Sequence, residues 1–194
     1  MTNRVLQFYH NSDSVKVSRL RKTLEEWIHV ASDEEWETCH DFIQWIFPNP
    51  HRSPNAPEAI LSEAEFRASF QRDPVLQIKL AEAFARYRHF LGFSVRHSAY
   101  LESEDRWIFS DVGKIHAELH NCLRITRVLC CLRLAGLQPI AAKFLKTLLL
   151  LVYHQSIHVT PRTVAEWKNA GLGRDWDLRP DMECIDECQH RLLG

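Results

Sequence analysis

The sequence predicts an all-α domain, an irregular bundle of about seven to nine helices around a central buried helix at about 111–135. Three observations carry that expectation. Apolar residues recur at helical spacing along most of the chain, helix caps precede most of those runs, and sheet signals are scarce. Only 6 Gly and 8 Pro occur in 194 residues, and no Asn-Gly or Asp-Gly turn separates alternating apolar runs. The composition, 45% hydrophobic and 25% charged, is that of an ordinary globular protein. A chain of this length buries roughly 70% of its unfolded surface, so residues 1–194 read as one domain that needs neither metal nor disulfide to fold.

The elements follow in order. Ser18 opens a first segment with Leu20, Leu24, Trp27 and Ile28 on one face. Ser32 or Asp33 starts a second, whose Trp36, Cys39, Ile43, Ile46 and Phe47 repeat at helical spacing until Pro48 and Pro50 stop it. A Pro-rich loop runs from Asn49 to Pro57. Ser62-Glu63-Ala64-Glu65 fits a capping box, and Leu61 is placed to pack on Phe66 as a hydrophobic staple, with Phe70 continuing the inner face. Asp73-Pro74 pairs an N-cap with proline at the first helical position, ahead of a stripe of Leu76, Leu80, Phe84, Tyr87 and Leu91 that Gly92 ends. From Phe93 to Ser110 the periodicity is lost, which predicts a long loop or a small irregular hairpin.

Asp111 then caps the strongest helix, with Gly136 as its stop. Pro139 begins another through Ile140, Phe144, Leu148, Leu151 and Val152, and Thr160-Pro161 opens a short one with Val164 and Trp167 that ends near Gly171. Pro180 or Asp181 opens a last amphipathic segment carrying Met182, Ile185, Cys188 and Leu192.

Charge narrows the function classes. With 24 Lys and Arg against 25 Asp and Glu, the net charge of −1 gives no whole-molecule field to draw nucleic acid or an anionic membrane surface. Neither is an expected partner. The longest apolar run, Leu148–Tyr153, is far short of the ~20 residues of a membrane span, and no secretory signal follows Met1-Thr2-Asn3-Arg4. The six cysteines at 39, 122, 130, 131, 184 and 188 then read as buried thiols of a reducing cytosol, and a cytoplasmic location is expected.

The Asp111 helix is the most informative segment. Ile115, Leu119, Cys122, Ile125, Thr126, Val128, Leu129 and Leu132 spread around most of its circumference, so it should be largely buried. His116, His120, Arg124 and Arg127 fall on the remaining strip. That strip is either the solvent face of the helix or a partly buried cationic wall. In the second case the arginines, which cannot lose their protons, need carboxylates or a bound anion. The second segment holds a counterpart: His40 sits in the series Trp36, His40, Ile43, Phe47, on the side expected to face the core, with Gln44 on the adjoining strip. A histidine so placed is either a satisfied core residue or a ligand-binding one.

Four stretches carry a resemblance: Phe8-Tyr9-His10-Asn11, the run His40-Asp41-Phe42-Ile43-Gln44-Trp45-Ile46-Phe47-Pro48, Leu91-Gly92-Phe93, and His120 through Leu129. In this order they resemble the opioid growth factor receptor conserved region. The likeness covers residues from about 5 to 150 and fades from Tyr153, leaving 153–194 as divergent C-terminal helices. The resemblance implies an all-helical, receptor-like binding domain rather than a known reaction, and it leaves nuclear or membrane-associated locations open. It marks His40, Gln44, Trp45, Phe47 and Pro48, and His120, Asn121, Arg124, Thr126 and Arg127. Of these, Trp45 and Phe47-Pro48 read as aromatic anchors and a helix stop. Cys122 departs from a usually polar position, and the 94–110 loop is idiosyncratic. The basic extensions and acidic repeats of animal receptors have no counterpart in these residues, so their functions are not carried over.

Other chemistry is weak. His116-x-x-x-His120 and His154-x-x-x-His158 lack the Glu of a His-Glu-x-x-His motif, and Cys184-x-x-x-Cys188 lacks zinc-module spacing, so no metal is expected. No phosphate loop, nucleophile elbow or dinucleotide fingerprint occurs, and no cofactor is expected. Noncovalent recognition of a small anionic or peptide ligand is the resulting expectation, in a cleft lined by His40, Gln44, His120, Asn121, Arg124 and Arg127. The alternatives are an enzyme using His40 and His120 as acid and base beside Arg124 and Arg127, or an interaction scaffold in which the same network is internal.

Overall fold

Short helices dominate the structure, a computed structural model that describes residues 3–96, 106–109, 113–116 and 119–173. Their order is α1 (Arg4–His10), α2 (Leu24–His29), α3 (Asp33–Thr38), α4 (Ile43–Ile46), α5 (Glu63–Ala68), α6 (Pro74–Phe90), β1 (Phe93–Arg96), β2 (Arg106–Phe109), α7 (Gly113–His116), α8 (Leu119–Leu134), α9 (Gln138–Tyr153) and α10 (Pro161–Leu172). The all-α bundle is as expected. The two strands form one antiparallel pair, with Phe93 opposite Phe109 and Arg96 opposite Arg106, so the hairpin alternative describes the segment after Gly92.

The helix starts follow their local chemistry. Thr23, Ser32 and Ser62 each accept a hydrogen bond from the N3 backbone N–H, while the N3 glutamate reaches back to the cap. Asp73 and Thr160 cap helices that have proline in the first turn. Gly136 at φ 87° follows α8, and Gly173 at φ 91°, rather than Gly171, ends α10.

Two expected elements are corrected and one helix is added. Ser18 does not open a helix: it sits at φ 63° in a turn, and the helix starts at the Thr23 cap. Residues 4–10 are helical, started by the Asn3 side chain accepting from Val5 N. The second segment is not continuous, because Cys39 is extended (φ −87°, ψ 123°) and separates α3 from α4. Arg19 helps impose that break. Its guanidinium donates to Thr38 O at 2.7 Å and its backbone N–H to Asp41 Oδ2 at 2.7 Å, which commits both sides of the junction. The Asp111 cap and the segment from Pro180 lie outside the described residues.

The core is one continuous cluster rich in aromatic rings. Trp27 stacks on Phe42 at 4.1 Å, and Trp36 meets Phe42 edge-on at 4.9 Å and Phe90 at 5.9 Å. Helix α8 packs against α5, α7, α9 and α10, and α6 against α1, α2 and β1.

Helices of four to seven residues are too short to persist alone, and each leaves its last carbonyls without intrahelical donors. Side chains from distant elements supply those donors. Lys79 Nζ donates to Tyr9 O at the end of α1, and Arg86 donates to Ala31 O just past α2. Gln71 and Gln77 donate to Leu134 O and Ala135 O at the end of α8. Three arginines of α8 do the same for α3, α4 and α10, as described below. Cations are also electrostatically favoured at these negative helix ends.

Candidate functional site

A cleft of about 930 Å³ runs along α8, walled by α4, the 49–55 loop and the end of α10. Its floor follows the i, i+3 row Arg124, Arg127, Cys130, Arg133, one of the natural ridges of a helix surface. His40, Gln44, His51, Arg52, Ser53, His120 and Leu123 also line it. The two acidic liners are each paired to an arginine on their own helix: Glu63 with Arg67 at 3.9 Å, and Glu166 with Arg162 at 3.0 Å. Four arginines therefore face a cleft whose carboxylates have other partners.

Five of the six residues expected from sequence line this cleft, and the sixth, Asn121, is fully buried behind it. Asn121 donates to Lys114 O at 2.9 Å and accepts from Arg124 Nη1 at 3.2 Å. Arg124 is only 5% exposed. Its Nη1 donates to Trp36 O at 2.8 Å, and its Nη2 lies within hydrogen-bond distance of Cys39 O at 2.9 Å, Glu37 O at 3.2 Å and His40 Nδ1 at 3.3 Å. The guanidinium is thus a cap on the end of α3. Sheltered arginines are expected to meet carboxylates or a bound anion; Arg124 meets carbonyls and the Asn121 amide oxygen, and Glu37 reaches His120 Nε2 at 2.7 Å.

Arg127 is different. Its Nη1 donates to Phe47 O, at the end of α4, at a long 3.3 Å, and no carboxylate pairs with it among the described residues. Burial pulls its pKa below the usual guanidinium value, opposed only by the Cys131 and Cys130 thiols. Three residues before Phe47 is Gln44, 5% exposed. Gln44 Nε2 lies 3.0 Å from Ser53 Oγ, and its Oε1 is buried without a hydrogen-bond partner. Whichever way the amide is turned, one polar end is satisfied and the other is not.

His40 does not face the core. The break between α3 and α4 leaves it exposed at the cleft rim, its ring edge-on to His120 with centroids 5.3 Å apart. Its Nδ1 faces a guanidinium that can only donate, so the hydrogen bond requires the neutral ring. Cys39, Cys122 and Cys131 are buried free thiols and Cys130 is half-buried, with burial raising all four pKa values. His154 caps the end of α9 and His158 lies beyond it, so that pair does not share a helix face.

The sequence reading missed Arg133, whose Nε donates to Ala170 O in the last turn of α10 at 2.9 Å. The three-residue spacing of Arg124, Arg127, Cys130 and Arg133 was the available signal. It was obscured because an i, i+3 row winds around the helix rather than staying on one face. Arg52 and Ser53, in the Pro-rich loop, carried no periodic signal.

Over residues 1–168 the chain matches the family model of the opioid growth factor receptor (OGFr) conserved region. It belongs to this family. No curated protein and no solved structure matches the chain. In this opioid growth factor receptor family domain the match reaches Lys168 in α10, past Tyr153, from which the likeness is expected to fade. The second motif block, His120 to Arg127, is the stretch of α8 that closes α3 and α4. No helix among the described residues is long and apolar enough to cross a membrane.

The His40 environment gives the family domain a pH dependence. Partial desolvation of the exposed ring against the cleft rim lowers its pKa below the ordinary imidazole value of 6.5, and the charges of Arg124, His120 and Arg19 lower it further, against Glu37, which raises it. Below pH 6.5 the unfolded chain therefore binds a proton that the folded chain resists. This contribution to stability is present in full above pH 6.5 and is lost as pH falls through that value toward the folded pKa. Urea unfolding at pH 7.5 and pH 5.5 should show a smaller loss of stability on acidification in His40→Gln than in the parent; equal losses would mean that His40 titrates normally.

Proposed function

We propose that the cleft is a noncovalent recognition site, receiving an anionic group of a small molecule or peptide by charge-assisted hydrogen bonds. The observation that supports this reading is Arg127: a sheltered guanidinium with one long carbonyl contact and no carboxylate partner among the described residues, in a cleft whose acidic liners are paired elsewhere. A cation in that setting gains most from an incoming anion. Gln44, with one polar end unpartnered, supplies a second contact from α4. His40 and His120 form the rim, and Asn121 and Arg124 act by holding α3 against α8. The volume of about 930 Å³ is at the upper end of small-molecule sites, and Leu123, 60% exposed, offers an apolar surface for the body of the ligand.

Calorimetric titration with methylphosphonate tests the reading. The unaltered chain should bind it saturably, and Arg127→Gln should weaken binding by about 10- to 100-fold, the range expected for hydrogen bonds to a charged group. The urea midpoint of that variant should change little, because only the one long bond to Phe47 O is lost. A chain that binds no methylphosphonate, or an Arg127→Gln variant that binds it equally well, would sink the proposal. Acid-base chemistry is a second reading, favoured by the Glu37 carboxylate 2.7 Å from His120 Nε2, a contact that would orient the ring. It predicts turnover that is lost in His120→Ala while methylphosphonate binding persists.

A further inference from the structure

We propose that Arg133 forms a second anion subsite in the same cleft, so that its ligand carries two anionic groups rather than one. The inference rests on the recognition reading above and adds the class of ligand. Arg133 resembles Arg127 in three respects. It lines the cleft, it touches the protein through a carbonyl (Ala170 O, 2.9 Å) and one weak sulfur contact (Cys130 Sγ, 4.0 Å), and no carboxylate pairs with it among the described residues. Its Nη1 lies beside Gly173, another residue of the cleft lining, at whose position a Cβ would be 3.8 Å away.

Arg124 belongs to the same row but differs from both, since its Nη groups are occupied by the carbonyls of α3. Arg52 also lines the cleft but is exposed to water on the loop, so the half-buried guanidiniums without a carboxylate partner among the described residues are the two at 127 and 133, six residues apart: about 9 Å along the helix axis and about 120° apart around it. Between them lies Cys130, half-buried and pushed toward the neutral thiol by burial, so the intervening floor carries no charge. Two cations separated by an uncharged floor match a ligand with an anionic group at each end and an uncharged body between. A single phosphate or carboxylate would leave one guanidinium without an acceptor.

A series of α,ω-bisphosphonates with two to eight methylene groups, titrated into the unaltered chain beside methylphosphonate, tests the inference without relying on any variant's folding. The two-carbon member should bind like methylphosphonate. Affinity should rise about tenfold at the chain length that first reaches both guanidiniums, since the second contact is then made intramolecularly. Arg133→Gln should remove that gain, lowering the affinity of the longer members to that of the two-carbon member, and its circular-dichroism spectrum and urea midpoint check that the variant is folded; if it is not, the length dependence in the unaltered chain decides the question. Affinity that is flat across the series and equal to that of methylphosphonate overturns the second subsite but leaves the recognition site standing. Failure of every member, methylphosphonate included, overturns the recognition reading and this inference with it.

Discussion

Arg124→Ala is expected to destabilise the fold by about 3 kcal/mol or more, because several buried acceptors lose their donor together and each costs about 1–3 kcal/mol when left unsatisfied. The physical cause is the end of α3. Without the guanidinium, the carbonyls of Trp36, Glu37 and Cys39 lose their side-chain donor, and an unsatisfied buried acceptor costs about 1–3 kcal/mol. The oxygen of Asn121 loses its donor as well. Arg124→Lys should recover only part of the loss, because one ammonium cannot reproduce a planar fork that reaches several acceptors. Equilibrium urea unfolding followed by circular dichroism measures both. A loss under about 1 kcal/mol, the net worth of one ordinary hydrogen bond, would mean that water replaces the arginine at these carbonyls. The contrast with Arg127→Gln, which should lose ligand affinity at little cost in stability, separates the scaffolding arginine from the ligand-facing one.

Trp36→Ala carries an expected loss of similar size, about 3–5 kcal/mol, as for large aromatic side chains removed from a core. The ring is fully buried between Trp27, Phe42, Tyr87 and Phe90, with the Arg86 guanidinium 5.0 Å above its face. Its Nε1 donates to Trp27 O at 3.0 Å, tying α3 to α2. Trp36→Phe should cost less, roughly 1–2 kcal/mol, since it keeps most of the packing but leaves that carbonyl without its donor. Thermal unfolding of the two variants orders the contributions. If the phenylalanine variant is as unstable as the alanine one, the hydrogen bond rather than the volume dominates.

Legibility varied by the range of the interaction. The capping box at Ser62 and Glu65, the Asp73-Pro74 and Thr160-Pro161 starts and the Gly136 stop were readable because each is decided within a few residues. The burial of α8 was also readable, since Ile125, Val128, Leu129 and Leu132 leave little of its circumference for water. His40 was misplaced for a definite reason. Trp36, His40, Ile43 and Phe47 keep helical spacing across a chain that is not helical at Cys39, so periodicity alone joins α3 to α4. The break depends on Arg19 and Arg124, one before the segment and one far after it. The two arginines of the central strip looked equivalent in sequence. Their difference arises because α3 presents several carbonyls to Arg124, whereas α4 presents one to Arg127.

By itself the sequence determined where the helices capped by Ser32, Ser62, Asp73 and Thr160 begin, which faces are apolar, and that a cationic strip lies on the central helix. Each of these depends on residues three or four positions apart, within reach of a single side chain. Only the tertiary structure decided which side chains close the helix ends and which arginines remain open to a ligand. The last carbonyls of α1, α3, α4, α8 and α10 are met by Lys79, Arg124, Arg127, Gln71 and Arg133, donors 37 to 88 residues away along the chain. A donor that remote is brought into range by packing of the core, which is why the closing of each helix, and the cleft left between the closures, belongs to the fold as a whole.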